Sequence, residues 1–89
     1  MIRYLLRVRL PDRPGALGAV ASRIGAVGID IVAVEIVSSV DTVACDEFVI
    51  ELADEGIVTL LLNEIHEVDG VDVEEIRPLA SEAARGEKA

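Results

Sequence analysis

The sequence predicts an α+β sandwich: one four-stranded antiparallel sheet with two helices packed on one of its faces. Three observations lead there. Four segments carry the alternation or β-branched runs of strands, and two carry apolar residues at helical spacing. They follow one another as strand, helix, strand, strand, helix, strand.

Ile2, Tyr4, Leu6, Val8 and Leu10 alternate with Arg3, Leu5, Arg7 and Arg9, so strand 1 has one core face and one mixed face. After a turn at Asp12–Gly15, Leu17, Val20, Ala21 and Ile24 recur at i, i+3, i+4 and i+7, the stripe of helix 1. Gly18, Ala19 and Ser22 keep its outer side small, which leaves room for a close neighbour. Gly25 and Gly28 are ready stops. From Asp30 to about Val40 the chain is rich in β-branched residues, with Val32, Val34 and Ile36 expected on one face and Ala33, Glu35 and Val37 on the other. Ser38–Thr42 reads as a loop. Strand 3 turns Phe48, Ile50 and Leu52 to the core and Glu47, Val49 and Glu51 away. Asp54-Glu55-Gly56 opens helix 2, whose stripe is Val58, Leu61, Leu62 and Ile65. Asp69-Gly70 is a turn signal, and Val71–Ile76 makes strand 4. Residues 1–79 are expected to form one domain, and 80–89, small and charged, a flexible tail.

Two split βαβ units with right-handed crossovers give the ferredoxin-like βαββαβ arrangement, both helices on one sheet face. The other face then carries Arg3, Arg7, Arg9, Glu35, Glu47 and Glu51, charges that pair across strands. Leu5, Ile31, Ala33, Val37 and Val49 fall among them, so partial cover by another subunit is expected. Strand 2 lies at a sheet edge, long and β-branched, an open template for pairing. A domain this small is marginal on its own core, and the expected assembly is a homodimer or higher even oligomer.

Composition narrows the function. The chain has 89 residues, 52 % of them hydrophobic, which describes a globular domain too small to enclose a large cleft. Its net charge of −9 repels phosphate backbones and anionic lipid, so no nucleic acid and no membrane are expected as partners. Tyr4 and Phe48 are the only aromatic residues, too few for base stacking. No apolar run approaches a membrane span or a secretory signal, and the expected compartment is the cytoplasm. Seven arginines against one lysine is the usage of a GC-rich bacterial genome.

The chain's most informative stretch is Pro11-Asp12-Arg13-Pro14-Gly15-Ala16-Leu17. Proline suits a first helical turn, the residue before it is pushed out of helical geometry, and a short carboxylate such as Asp12 can cap free amides. Gly15 removes the side chain that would hold another molecule off the backbone. Ala16 and Leu17 then offer first-turn amides at the positive end of the helix dipole, a receptor for a small carboxylate. The plainer alternative, a well-made helix cap and nothing more, uses the same residues.

With its element order, its Asp12-Arg13-Pro14-Gly15-Ala16-Leu17 turn, its helix ending near Gly25 and its Val27-Gly28-Ile29-Asp30-Ile31 segment, the chain resembles an ACT domain from about Arg3 to Pro78. The resemblance implies a regulatory module rather than an enzyme. It implies amino-acid binding across a dimer interface, no cofactor, and a metabolic enzyme as a partner. Carried over by position, the ligand's carboxylate meets the backbone of Gly15, Ala16 and Leu17, in a turn shaped by Asp12 and Arg13. The residue opening strand 2, often Asn in the family, is here Asp30, beside Ile31. An ionised Asp only accepts hydrogen bonds, so it suits an ammonium group and repels a carboxylate.

Other chemistries lack their partners. His66 has no companions at metal-ligand spacing, and no metal is expected. Cys45 stands alone, which excludes an internal disulfide or a metallochaperone's cysteine pair. Acylphosphatases share the fold, and Arg13 could serve as their phosphate-cradling arginine. The only Asn, however, is Asn63 in helix 2, away from any strand. The competing class is a dimerisation or partner-binding module with a vestigial pocket.

Overall fold

The computed structural model describes residues 1–80, which run β1 (Ile2–Pro11), α1 (Ala16–Ala26), β2 (Asp30–Val40), β3 (Val43–Leu52), α2 (Ile57–Ile65) and β4 (Asp72–Pro78). All neighbours in the sheet are antiparallel, in the order β2-β3-β1-β4. This is the ferredoxin-like sandwich expected from the order of elements. The tail expected over 80–89 falls, apart from Ala80, outside the described residues.

Strand β1 lies between β3 and β4 and is bonded on both sides, with Leu6 opposite Phe48 and Val8 opposite Asp46. Its even-numbered residues from Leu6 onward are buried under the helices, joined there by Phe48, Ile50 and Leu52 of β3. Helix α1 adds Ala16, Val20 and Ile24, and α2 adds Leu61 and Ile65. On the open face the expected charge ladder is present. Arg3 donates to Glu51 and Arg7 to Glu47, each directly across β1 and β3. Arg9 instead meets Asp72 and Glu74 on the β4 side. Leu5, on the same face between Val49 and Arg77, is only 8 % exposed. Leu5 is thus shielded within one copy, whereas Ala33 and Val43 on the same face are exposed.

Strand β2 differs from a strict alternation. Its register against β3 shifts between Ile31 and Ala33 and again between Ile36 and Ser38, so Val32 and Val37 are extra residues at bulges. Ile31 thereby stands opposite Ile50 on the helix side and packs against the core, while Val32 is exposed. The placement of Ile31 reverses the sequence expectation, and Val34 and Ile36, opposite Phe48 and Asp46, are exposed like Val32. Nor is Ser38–Thr42 a loop. The strand continues to Val40 and reverses through Asp41-Thr42 alone, with Asp41 in the left-handed region (φ 57°) that short polar side chains tolerate.

Two glycines are dictated by backbone geometry. At the end of α1 the Gly28 amide bonds the Gly25 carbonyl and the Ile29 amide the Ile24 carbonyl, the paired bonds of a Schellman ending, with Gly28 at φ +79°. Ile24 and Ile29 are both buried in the core beside it. At the start of α1, Gly15 has φ +86° and ψ −14°, and the Ala16 amide bonds the Arg13 carbonyl at 3.2 Å. Arg13–Ala16 is thus a type II turn, with proline at its second position and glycine at its third. Pro14 sets up this turn rather than the first helical turn, and the helix begins two residues later. Asp12 makes no cap bond.

Gly15→Ala places a side chain in the left-handed region and is expected to lower stability by about 1–2 kcal/mol. Gly18 lies within α1 with open space where a Cβ would stand, so Gly18→Ala should raise it by about 0.5–1 kcal/mol. Urea unfolding of the two variants checks both signs; equal effects would contradict the turn assignment.

Candidate functional site

The β1–α1 turn is tied to the β2–β3 hairpin on two sides. The Asp12 amide bonds the Thr42 carbonyl at 2.8 Å, and the Ser39 hydroxyl donates to Asp12 Oδ2 at 2.6 Å. Between turn and sheet lies a cavity of about 150 Å³, similar in size to an engineered protein cavity that binds benzene. Leu10, Asp12, Arg13, Ala16 and Leu17 form one wall, Ile36 and Ser39 of β2 another, and Ala44 and Asp46 of β3 the base.

The turn presents its amides unevenly. The Ala16 N–H is occupied by Arg13, and the Ala19 N–H by Gly15. Among the described residues the amides of Leu17 and Gly18 have no backbone acceptor, and they stand at the positive end of α1. A carboxylate arriving here therefore meets Leu17 and Gly18 rather than Ala16. Arg13, exposed at the rim, is the one cation among the lining residues.

The sequence reading passed over the most unusual residue of the site. Asp46 is 2 % exposed, and its Oδ1 has no hydrogen-bond partner among the described residues. Burial pushes its carboxyl up from the usual range, and the charge of Asp12 adds to this. A signal was available: Asp46 has the same parity as Phe48, Ile50 and Leu52, so a carboxylate occupies a core-facing position of β3.

Asp12, Arg13, Ala16 and Leu17 are brought together around the cavity, with Gly15 at the centre of the turn. Asp30 and Ile31 are not. Asp30 stands opposite Glu51, which stands opposite Arg3, at the other end of the sheet. From Arg3 to Asp12 the chain advances nine residues, roughly 30 Å of strand. Within one copy the two halves of the expected site cannot touch.

The remaining candidates carry little chemistry. His66 is exposed at the C-cap of α2. No group of three or more His, Cys, Asp and Glu that could hold a metal occurs among the described residues. The Cys45 thiol donates to Glu74 at 3.4 Å, and burial, then Glu74, push its pKa up, away from a reactive thiolate. No helix among the described residues is long and apolar enough to cross a membrane.

Solved structures with this architecture are numerous. The ACT domain of GTP pyrophosphokinase from Chlorobium tepidum aligns with TM-score 0.67 at 16 % identity, covering 89 % of this chain and 100 % of that one. An ACT domain protein from Streptococcus pneumoniae aligns with TM-score 0.67 at 19 % identity, covering 86 % and 89 %. The regulatory subunit of aspartate kinase from Thermus thermophilus aligns with TM-score 0.57 at 12 % identity, covering 98 % and 62 %. Identities this low carry the fold alone. No curated protein sequence matches the chain significantly. A family model, that of the ACT domain, matches residues 4–70. With most of its length inside that match, the chain belongs to the ACT domain family, whose members are regulatory ligand-binding domains.

Proposed function

We propose that this chain is a cytoplasmic amino-acid sensor without catalytic activity of its own, acting as a homodimer or higher even oligomer and passing its state to a metabolic enzyme. The ligand, an amino acid or related small carboxylate, sits at the β1–α1 turn. One observation carries this reading: beside an exposed strand edge opens a cavity lined by Leu17, whose amide, like that of neighbouring Gly18, has no backbone acceptor among the described residues. The amides take a carboxylate, and the edge supplies the place where a second copy completes the site.

Edge strand β2 supports the second half. Val34, Ile36 and Val40 are exposed along it, Ile36 at 64 % and Val40 at 67 %. Eleven residues of unpaired, β-branched edge are a surface that monomeric proteins avoid. Antiparallel pairing of β2 with its copy, centred near Glu35, sets Asp30 of the partner subunit opposite Val40, next to Ser39 and the turn. The separation of Asp30 from the cavity within one copy is then removed across the two-fold. An ionised Asp30 there receives the ligand's ammonium group, while the helix start holds its carboxylate.

Light scattering at micromolar concentration is expected to return at least twice the chain mass, and Val34→Lys on the β2 edge to return a single chain; a wild-type monomer under all conditions would count against the assembly. Thermal-shift screening against the twenty amino acids should reveal at least one stabilising ligand. Should none stabilise an oligomeric protein, the module is a dimerisation or partner-binding unit with a vestigial pocket. For the stabilising amino acid, Asp30→Ala is expected to weaken binding by about 1.5–3 kcal/mol, the range for a hydrogen bond to a charged group, and Asp30→Asn by less. Its deaminated analogue should be indifferent to Asp30→Ala. Calorimetry showing both variants binding the amino acid as tightly as wild type would remove Asp30 from the site.

A further inference from the structure

We infer that Asp46 determines specificity in the cavity, admitting small amino acids whose short side chain ends in a hydrogen-bond donor and rejecting isosteres that end in a methyl group. This rests on the reading of the cavity as an amino-acid site and names what it selects.

An acid at this depth ordinarily has a partner, because an unpaired buried polar group costs about 1–3 kcal/mol. The sheet offers Asp46 none. Its neighbours across the strands are Val8 and Ile36, both apolar. The charge of Asp12 repels its carboxylate, and Arg13 makes no ion pair with it among the described residues. The cavity is the remaining direction from which a donor can reach the carboxylate.

The shape of the site then defines the ligand. With its carboxylate on the Leu17 and Gly18 amides, a ligand directs its side chain between Leu10, Leu17 and Ile36 toward Asp46. Those walls are apolar, so they accept methylene and methyl groups along the way. The small volume restricts the side chain to a few heavy atoms. At the end stands the Asp46 carboxyl, whose oxygens accept from a hydroxyl, amide or ammonium donor. Asp12 and Asp46 together repel an acidic side chain. An isostere ending in methyl fills the same space but seals the carboxylate from water without replacing the bond. Sites built around a ligand hydroxyl discriminate strongly for this reason.

The test uses calorimetry of the full chain with matched probes: L-threonine against L-valine and L-serine against L-2-aminobutyrate. Wild type is expected to bind the hydroxyl member of a pair at least tenfold more tightly. Asp46→Val should abolish that preference and raise the melting temperature of the unliganded protein, because a buried charge is replaced by an apolar side chain of similar size. Where Asp46→Val fails to fold, Asp46→Asn serves instead. It keeps an acceptor and a hydroxyl preference, and it loses the extra affinity that wild type should show for L-2,3-diaminopropionate over L-serine. Equal binding of the isosteres by wild type, a preference that survives Asp46→Val, or a lowered melting temperature in both variants would overturn the assignment. Absence of binding by any of these amino acids, to wild type and variants alike at millimolar concentration, would overturn the amino-acid reading itself, and the assignment with it.

Discussion

The pairing of β1 on both of its edges is the constraint from which the other placements follow. Bonded to β3 on one side and β4 on the other, β1 has no freedom to rotate, so its alternation commits each flanking strand to a face. Leu6 and Val8 face the helices, and their partners Phe48 and Asp46 must face them too. A slip of one residue would bring Glu47 inside with Asp46 turned to solvent, and it would also expel Phe48. The large apolar residues therefore hold a carboxylate in the core layer. Asp46 is buried by the packing energy of its neighbours, and its side chain makes no hydrogen bond among the described residues.

The same topology leaves β2 with one free edge. Edge strands in stable monomers are short, charged or covered; β2 is long, and among the described residues only β3 pairs with it. Its two bulges, at Val32 and Val37, increase local twist without hiding the apolar side chains. Glu35, opposite Glu47 on the open face, is the sole charge between Ile31 and Val40. An edge so composed tolerates pairing with its own copy better than prolonged contact with water. The hairpin reversal at Asp41-Thr42 and the Ser39–Asp12 bond anchor the far end of this edge to the β1–α1 turn. Whatever pairs with β2 consequently presses on the wall of the cavity.

Periodicity was enough for the framework. The alternation of Ile2–Leu10 and the 3.6 spacing from Leu17 to Ile24 are undiluted patterns, and element order did the rest. Where expectation and structure part, the cause is local. Two bulges inside eleven residues defeat a period of two, which misplaced Ile31 and Val32. Pro14-Gly15 fits either a helix start or a type II turn, because proline's fixed φ serves both; only the positive φ of Gly15 separates them. Asp12 looked like a cap, yet its carboxylate is engaged by Ser39, a contact 27 residues away that no local rule anticipates. Asp46 was readable in principle. Its parity with Phe48, Ile50 and Leu52 marks a core-facing position, and only its acidic side chain argues for solvent.

Two features raise the free energy of the isolated monomer: a core-layer carboxylate oxygen that has no partner among the described residues, and an apolar edge with no described strand beside it. They are not scattered. Asp46 forms the base of the cavity and Ile36 of β2 its wall, and the two stand opposite one another in the β2–β3 ladder. On the proposed reading, a donor-bearing ligand relieves the first, and a second copy on β2 relieves the second. Because the wall is shared, relief of one alters the other. A ligand that seats against Ile36 stiffens the edge that must pair, and pairing at β2 narrows the space in which the ligand sits. Coupling of this kind requires no long pathway through the protein, only two unsatisfied surfaces on either side of one strand. In the function proposed above, ligand occupancy would be converted in this way into a change in assembly.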